Sequence, residues 1–219
     1  MSANFVPGTK KQPSDSLYQV RSVGIVVATR WEAAPVLRAF GFKKVEKSLY
    51  YARVEEQDVW LCISGVGMEP ARAASYRLCD RGAKLLVSAG FCGALTPALQ
   101  IGDLITDRLA TSRVPIRTVA ERKVLAERAG AQAVDMETQA IIEAGTRRGV
   151  PIRVIRVVSD QMNDDLSPIF GPGASFSPIG IALRLLNPAV WPLANQLRKN
   201  SALAKARLVD ALQSFLHAA

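Results

Sequence analysis

The sequence predicts an α/β fold, an open, twisted, mixed sheet flanked by helices, with a helical C-terminal appendage. Three observations predict it. Apolar runs at 22–29, 84–89 and 151–158 (PIRVIRVV) have the valine- and isoleucine-rich character of strands buried on both faces. Helical stretches alternate with these runs, as layers around a largely parallel sheet require. Glycines at 41, 130 and 149 fall where three of those helices should stop.

In chain order, the first strand (22–29) leads into a helix over 31–40. Residues 49–54 and 59–64 read as a hairpin-like pair turning through Glu55 to Asp58. After Gly65-Val66-Gly67 a helix is expected over 69–80, with Pro70 in its first turn. The 84–89 strand should end in a small-residue loop, 90–97, followed by short strands at 103–106 and 114–118. Thr118-x-x-Glu121 is a capping-box signature for a helix ending at Gly130. A strand over 131–134, a helix over 136–148 and the 151–158 strand follow, with Ser159-Asp160 just past its end. Beyond Leu166 come a Pro- and Gly-rich loop, an apolar helix over 179–186, a break at Asn187-Pro188, and amphipathic helices over 190–198 and 202–216. The organisation expected is a flexible leader (1–20), a catalytic domain (21–165) and a helical appendage of the same domain (166–219).

Composition narrows the function. With 49% apolar and 21% charged residues, the 219-residue chain reads as an ordinary globular protein. No apolar run reaches the ~20 residues of a membrane span. Residues 1–19 lack the apolar centre of a signal peptide. Three scattered cysteines fit reduced thiols in a cytoplasm. A single histidine, His217, excludes most mechanisms built on a histidine base and most histidine metal sites. The net charge of +9 admits nucleic acid, an anionic membrane or a phosphorylated substrate as partner. Nucleic acid is the weaker reading, because nothing interleaves aromatic with basic residues.

Taken singly, the acidic candidates fit structural roles: Glu32 and Asp135-Met136-Glu137 lie at helix starts, and Asp160 could cap a turn. Gly65-Val66-Gly67 fails as a dinucleotide fingerprint, since Pro70 stands where the third glycine belongs. A tight strand-to-helix turn is the better account, although a sugar or phosphate could approach it.

Together the landmarks are specific. GIVVATRWEAAPVL (24–37), SGVGMEPARAA (64–74), SAGFCGALTPALQIGDLI (88–105), AVDMETQAIIEAGTRRGVP (133–151) and RVVSD (156–160) occur in order. They resemble the purine nucleoside phosphorylase/nucleosidase superfamily, especially methylthioadenosine/S-adenosylhomocysteine nucleosidases and hopanoid-associated phosphorylases. The resemblance implies a nucleoside phosphorylase-like fold and cleavage of the N-glycosidic bond of a purine, specifically adenine, nucleoside. It implies that Asp160, beside Ser159, protonates the purine at N7, a role that requires burial to keep a proton on the acid near pH 7. Glu137 would bond the ribose hydroxyls, Met136 would pack on sugar or base, and Glu32 would activate water. In the Gly90-Phe91 loop, Phe91 replaces a serine that in many relatives meets the nucleophile or phosphate. Ser88 stands where some phosphorylases have a phosphate-binding arginine. Those losses favour hydrolysis, while Arg30 and the charge keep phosphorolysis, with phosphate as co-substrate, as the alternative. No metal or organic cofactor is implied.

Between Ile105 and Val114 the chain is much shorter than in most of the family, which often carries a base-stacking aromatic there, so no residue is assigned to base stacking. The tail LRLLNPAVWPLANQL is similar to that of hopanoid-associated phosphorylases, which act on a triterpenoid-linked adenosine. Its amphipathic pattern favours core-covering or oligomer-interface helices, with an interfacial helix on an anionic membrane as the alternative. The resemblance therefore implies a cytoplasmic homo-oligomer acting on a purine nucleoside, lipid-linked in the tail's reading, with peripheral contact to the inner membrane surface. A non-catalytic nucleoside-binding regulator is the alternative from another class.

Overall fold

The fold is that of a computed structural model, which describes residues 3–5, 22–171 and 178–218. The elements run β1 (Ala3–Phe5), β2 (Ser22–Val27), α1 (Arg30–Ala39), β3 (Lys43–Glu46), β4 (Leu49–Val54), β5 (Gln57–Ile63) and α2 (Met68–Asp80). They continue through β6 (Leu85–Ala94), β7 (Leu104–Ile105), β8 (Leu109–Ser112), α3 (Val119–Ala129), β9 (Ala133–Asp135), α4 (Thr138–Arg148) and β10 (Ile152–Asp160). The last are α5 (Ser167–Phe170), α6 (Pro178–Leu185), a 3-10 turn (Pro188–Val190) and α7 (Trp191–Ala218).

The described strands form one mixed sheet in the order β1-β8-β9-β6-β2-β5-β4-β3, with β10 on the other side of β6 and β7 beyond it. This is the open mixed sheet that the sequence predicts. Its centre is β6, which is shared. From Leu85 to Ser88 it runs parallel to β2, and at Gly93 and Ala94 it pairs antiparallel with β9. Along its other edge β10 follows it in parallel from Leu86 to Gly93. Between Ser88 and Gly93 neither β2 nor β9 pairs with it, so the sheet forks there. The fork opens beyond the carboxyl ends of β2 and β10, where α/β sheets bind ligands.

Two layers of helix cover the sheet. Val23, Ile25 and Val27 of β2 pack in one core with α1 and with Leu208, Leu212 and Leu216 of α7. Val26 faces the other side, with Ala71, Ala74 and Leu78 of α2 and Ala140 and Ile141 of α4. Alternate residues of a strand thus serve both layers, which is why the run is apolar throughout.

Several expectations change. The 90–97 loop is absent as such, since β6 continues through Gly90 to Ala94. Residues 114–118 form no strand; β8 lies at 109–112, parallel to β9. Ser159 and Asp160 belong to β10, past a register shift after Val158 that re-aims the strand end. The two C-terminal helices are one, α7, because nothing after Trp191 interrupts backbone hydrogen bonding. Within the expected leader, Ala3–Phe5 pairs antiparallel with β8; 6–20 lies outside the described residues, as does 172–177 of the Pro- and Gly-rich loop.

The buried stripe of α7 makes the C-terminal segment part of the core. Leu212→Ala should destabilise the protein by about 2–5 kcal/mol, whereas Leu203→Ala, at a half-exposed position, should change stability by under about 1 kcal/mol. Urea unfolding of both variants measures the contrast.

Candidate active site

A cavity of about 470 Å³ occupies the fork, within the range of small-molecule sites. Glu32, Phe91, Met136, Glu137, Ser159 and Asp160 all line it. Six of the seven site residues expected from sequence therefore meet in one place. Gly90, the seventh, lies beneath them and outside the lining.

Local folding fixes each carboxylate. Thr29 caps α1, and Glu32 closes a capping box: its Oε2 accepts from Thr29 N at 2.9 Å and from Thr29 Oγ1 at 2.6 Å. Its Oε1 accepts from Phe91 N at 2.8 Å. That N–H lies where the fork has removed a strand partner, so the carboxylate satisfies a donor that would otherwise be orphaned. The helix-start role and a site role coincide in one side chain.

Glu137 precedes α4 but does not cap it; its Oε1 accepts from Gly67 N at 2.9 Å. Gly67 has φ +103°, a conformation that favours glycine, and this explains the Gly65-Val66-Gly67 turn without a nucleotide phosphate. Asp135 accepts from Thr111 Oγ1 at 2.7 Å, from Thr138 N at 3.0 Å and from Thr138 Oγ1.

The residue that joins them is Arg156 on β10, to which the sequence landmarks give no role. It is 1% exposed and ion-pairs with Asp135 at 2.9 Å and with Glu137 at 3.4 Å. It also donates to Ser88 Oγ at 2.9 Å, Phe91 O at 3.3 Å and Thr138 Oγ1 at 3.3 Å. Arg156 stands opposite Gly90 in the β10–β6 register. A Cβ on Gly90 would lie 2.7 Å from Glu32 Oε1 and 2.9 Å from Arg156 Nη1, so only glycine fits, at φ +145°. The available signal was an arginine inside an otherwise buried strand, since a buried guanidinium must find anionic partners. Ser88, expected near a phosphate position, is fully buried and bonds Arg156 and Thr138 (2.7 Å) instead. Arg30 is exposed and outside the cavity lining.

This half of the site sets the carboxylates Glu32, Asp135 and Glu137 against one guanidinium. Burial raises the Glu137 carboxyl to about 7, with Asp135 and Glu32 pushing the same way and Arg156 and the Gly67 N–H opposing. Across the cavity, Asp160 Oδ1 accepts from Ser159 Oγ at 2.8 Å, and Asp160 Oδ2 accepts from Arg122 of α3. The resemblance asks for burial around Asp160; its side chain is 16% exposed and pairs with a buried guanidinium. Pro115, Ile116 and Arg117, from the short connection before α3, close this end beside Leu166 and Phe170.

Comparison with known families decides the affiliation. The model of the phosphorylase superfamily matches residues 22–106 and 108–170, more than half of the chain. The chain belongs to the phosphorylase superfamily, a family of enzymes. Among solved structures, the Helicobacter pylori 5′-methylthioadenosine/S-adenosylhomocysteine nucleosidase superposes with a TM-score of 0.67 at 15% identity, covering 89% of this chain and 99% of that one. The Arabidopsis thaliana 5′-methylthioadenosine nucleosidase gives 0.66 at 17% identity, covering 90% and 96%. Futalosine hydrolase of Helicobacter pylori gives 0.62 at 16% identity, covering 88% and 98%. At these identities the superpositions show the shared fold. Comparison with curated protein sequences gave no match.

The raised Glu137 carboxyl has a stability signature. A group that holds its proton more tightly when folded stabilises the protein below its ordinary titration, near 4.5, and loses that contribution as pH rises towards 7. Thermal midpoints of wild type should therefore fall relative to Glu137→Gln between about pH 5 and pH 8. Parallel curves would show that Glu137 ionises as an ordinary carboxyl.

Proposed function

We propose that this superfamily member hydrolyses the N-glycosidic bond of an adenine nucleoside. The observation that carries the reading is the carboxylate trio Glu32, Asp135 and Glu137 around one buried guanidinium, facing Asp160 across a single cavity. An excess of negative charge suits the cationic sugar of an oxocarbenium-like transition state. The nucleosidases among its fold neighbours support the same chemistry.

In this mechanism the C1′–N9 bond breaks with its electron pair going to the base, and Asp160 delivers a proton to N7. Water forms the new bond to C1′ and gives its proton to Glu32. Glu137 accepts hydrogen bonds from the ribose hydroxyls and stabilises the cation, while Met136 packs on the sugar. The same charge balance argues for water over phosphate. Arg156 is committed to carboxylates, and Arg122 is held by Asp160 and the Ala94 carbonyl.

Wild type should release adenine from adenosine at a rate independent of added phosphate. Glu32→Gln should be nearly inactive, and Asp160→Asn should lose about a hundredfold or more in turnover while still binding nucleoside. Chromatography of free base and sugar provides the measurement; obligatory phosphate and ribose 1-phosphate as product would replace hydrolysis with phosphorolysis.

We further propose that the substrate carries a large apolar 5′ group and that the enzyme works as a cytoplasmic oligomer resting on the inner membrane face. Ile181 of α6 and Leu197 of α7 line the cavity with Phe170, Val66 and Trp31. Outside it, Leu183, Leu186 and Trp191 are exposed beside the exposed basic residues Arg184, Arg198 and Lys199. An apolar 5′ group gains ~25 cal/mol per Å² buried, and basic residues draw the surface to anionic lipid. Among the described residues no helix is long and apolar enough to cross a membrane, so the contact would be peripheral. Leu186→Glu and Trp191→Glu should abolish sedimentation with anionic vesicles while leaving cleavage of soluble adenosine intact. A wild type that ignores such vesicles and prefers methylthioadenosine over long-chain analogues would refute the lipid reading.

A further inference from the structure

Arg122 is a buried cation at the Asp160 end of the site that takes no step in the proposed reaction. It is 1% exposed, at the inner face of α3, and it lines the cavity. The capping box at the start of α3 fixes its entry: Glu121 Oε2 accepts from Thr118 N at 2.9 Å and from Arg117 N at 2.8 Å. The next residue, Arg122, is thereby aimed at the sheet. Its Nη1 donates to Ala94 O at 3.1 Å, and its Nη2 holds Asp160 Oδ2. Its Nε is buried without a hydrogen-bond partner among the described residues. Gly93 leaves the space for this arrangement, since a Cβ there would stand 2.6 Å from both Arg122 Nη1 and Asp160 Oδ2.

Between them, Arg122 and Ser159 bond both oxygens of Asp160, from α3 and from β10 itself.

We propose that Arg122 is the positioning residue for Asp160, setting the plane in which that carboxyl meets the purine; the proposal rests on the nucleosidase reading. A residue acting through another loses its effect when that other residue is removed. In an adenine-release assay, Arg122→Met should lower kcat about tenfold or more and move KM by less than about twofold, the split of an interaction expressed in the transition state. Arg122→Lys should recover part of the rate. In the Asp160→Asn background, Arg122→Met should cost less than about a further twofold. Gly93→Ala, which wedges a methyl between the pair, should repeat this pattern, and it carries the test with Arg122→Lys if Arg122→Met does not fold. Equal losses in both backgrounds, or a wild-type kcat in Arg122→Met, would overturn the assignment. If wild type releases no base, the nucleosidase reading falls instead. Calorimetric adenine affinity of the same variants then decides: weakening by Arg122→Met only where Asp160 is present sustains the positioning role, and equal weakening overturns it.

Discussion

A guanidinium buried at the centre of the sheet organises this protein. Arg156 cannot lie 1% exposed without charge partners, so Asp135 and Glu137 must reach it from the β9–α4 junction. Ser88 and Thr138 take remaining donors, and Gly90 gives up a side chain to let the guanidinium and Glu32 approach. Four strands and helices are thereby tied to one side chain. The price is a core that tolerates little change at these positions; the result is a carboxylate cluster held rigid before any substrate arrives. Preorganised charge is what an active site needs when charge develops during the reaction.

The fork in the sheet makes the cluster accessible. Had β2 remained paired to β6 beyond Ser88, the Phe91 N–H would have met a strand carbonyl and Glu32 would have had no donor to orient its second oxygen. Because the strands part, backbone and side chain meet inside a cavity, with Glu32, Asp135 and Glu137 on one side and Asp160 on the other. The short connection after β7 does not leave the Asp160 end of the cavity open: beyond β8, α3 brings Arg122 to Asp160.

Most of the fold was legible because its strands are apolar on both faces and its helices end on glycine. The boundaries that failed have physical causes. The segment from Gly90 to Ala94 looks like a loop by composition, yet small residues there serve close packing against Glu32, Arg156 and Arg122 inside a strand. The Asn187-Pro188 break was legible; the second break assumed near residue 200 was not real, since no residue there stops a helix. In the site, the acids could be named from the order of the landmarks around them. Arg156 and Arg122 could not, because alternation along PIRVIRVV does not say which arginine turns inward, and α3 has no clear apolar stripe to mark its buried face. Both are visible only once their carboxylate partners are located in space.

The central claim is that the half of the cavity around Glu32, Asp135 and Glu137 carries more negative than positive charge and would suit a cationic sugar. The most direct measurement compares the affinity of an adenine-bearing pyrrolidinium ring, cationic at the sugar position, with that of an uncharged ring of the same shape. The charged mimic should bind about a hundredfold or more tighter, as transition-state mimics do, and Glu137→Gln should erase much of that advantage. Equal affinities for the two rings would contradict the claim.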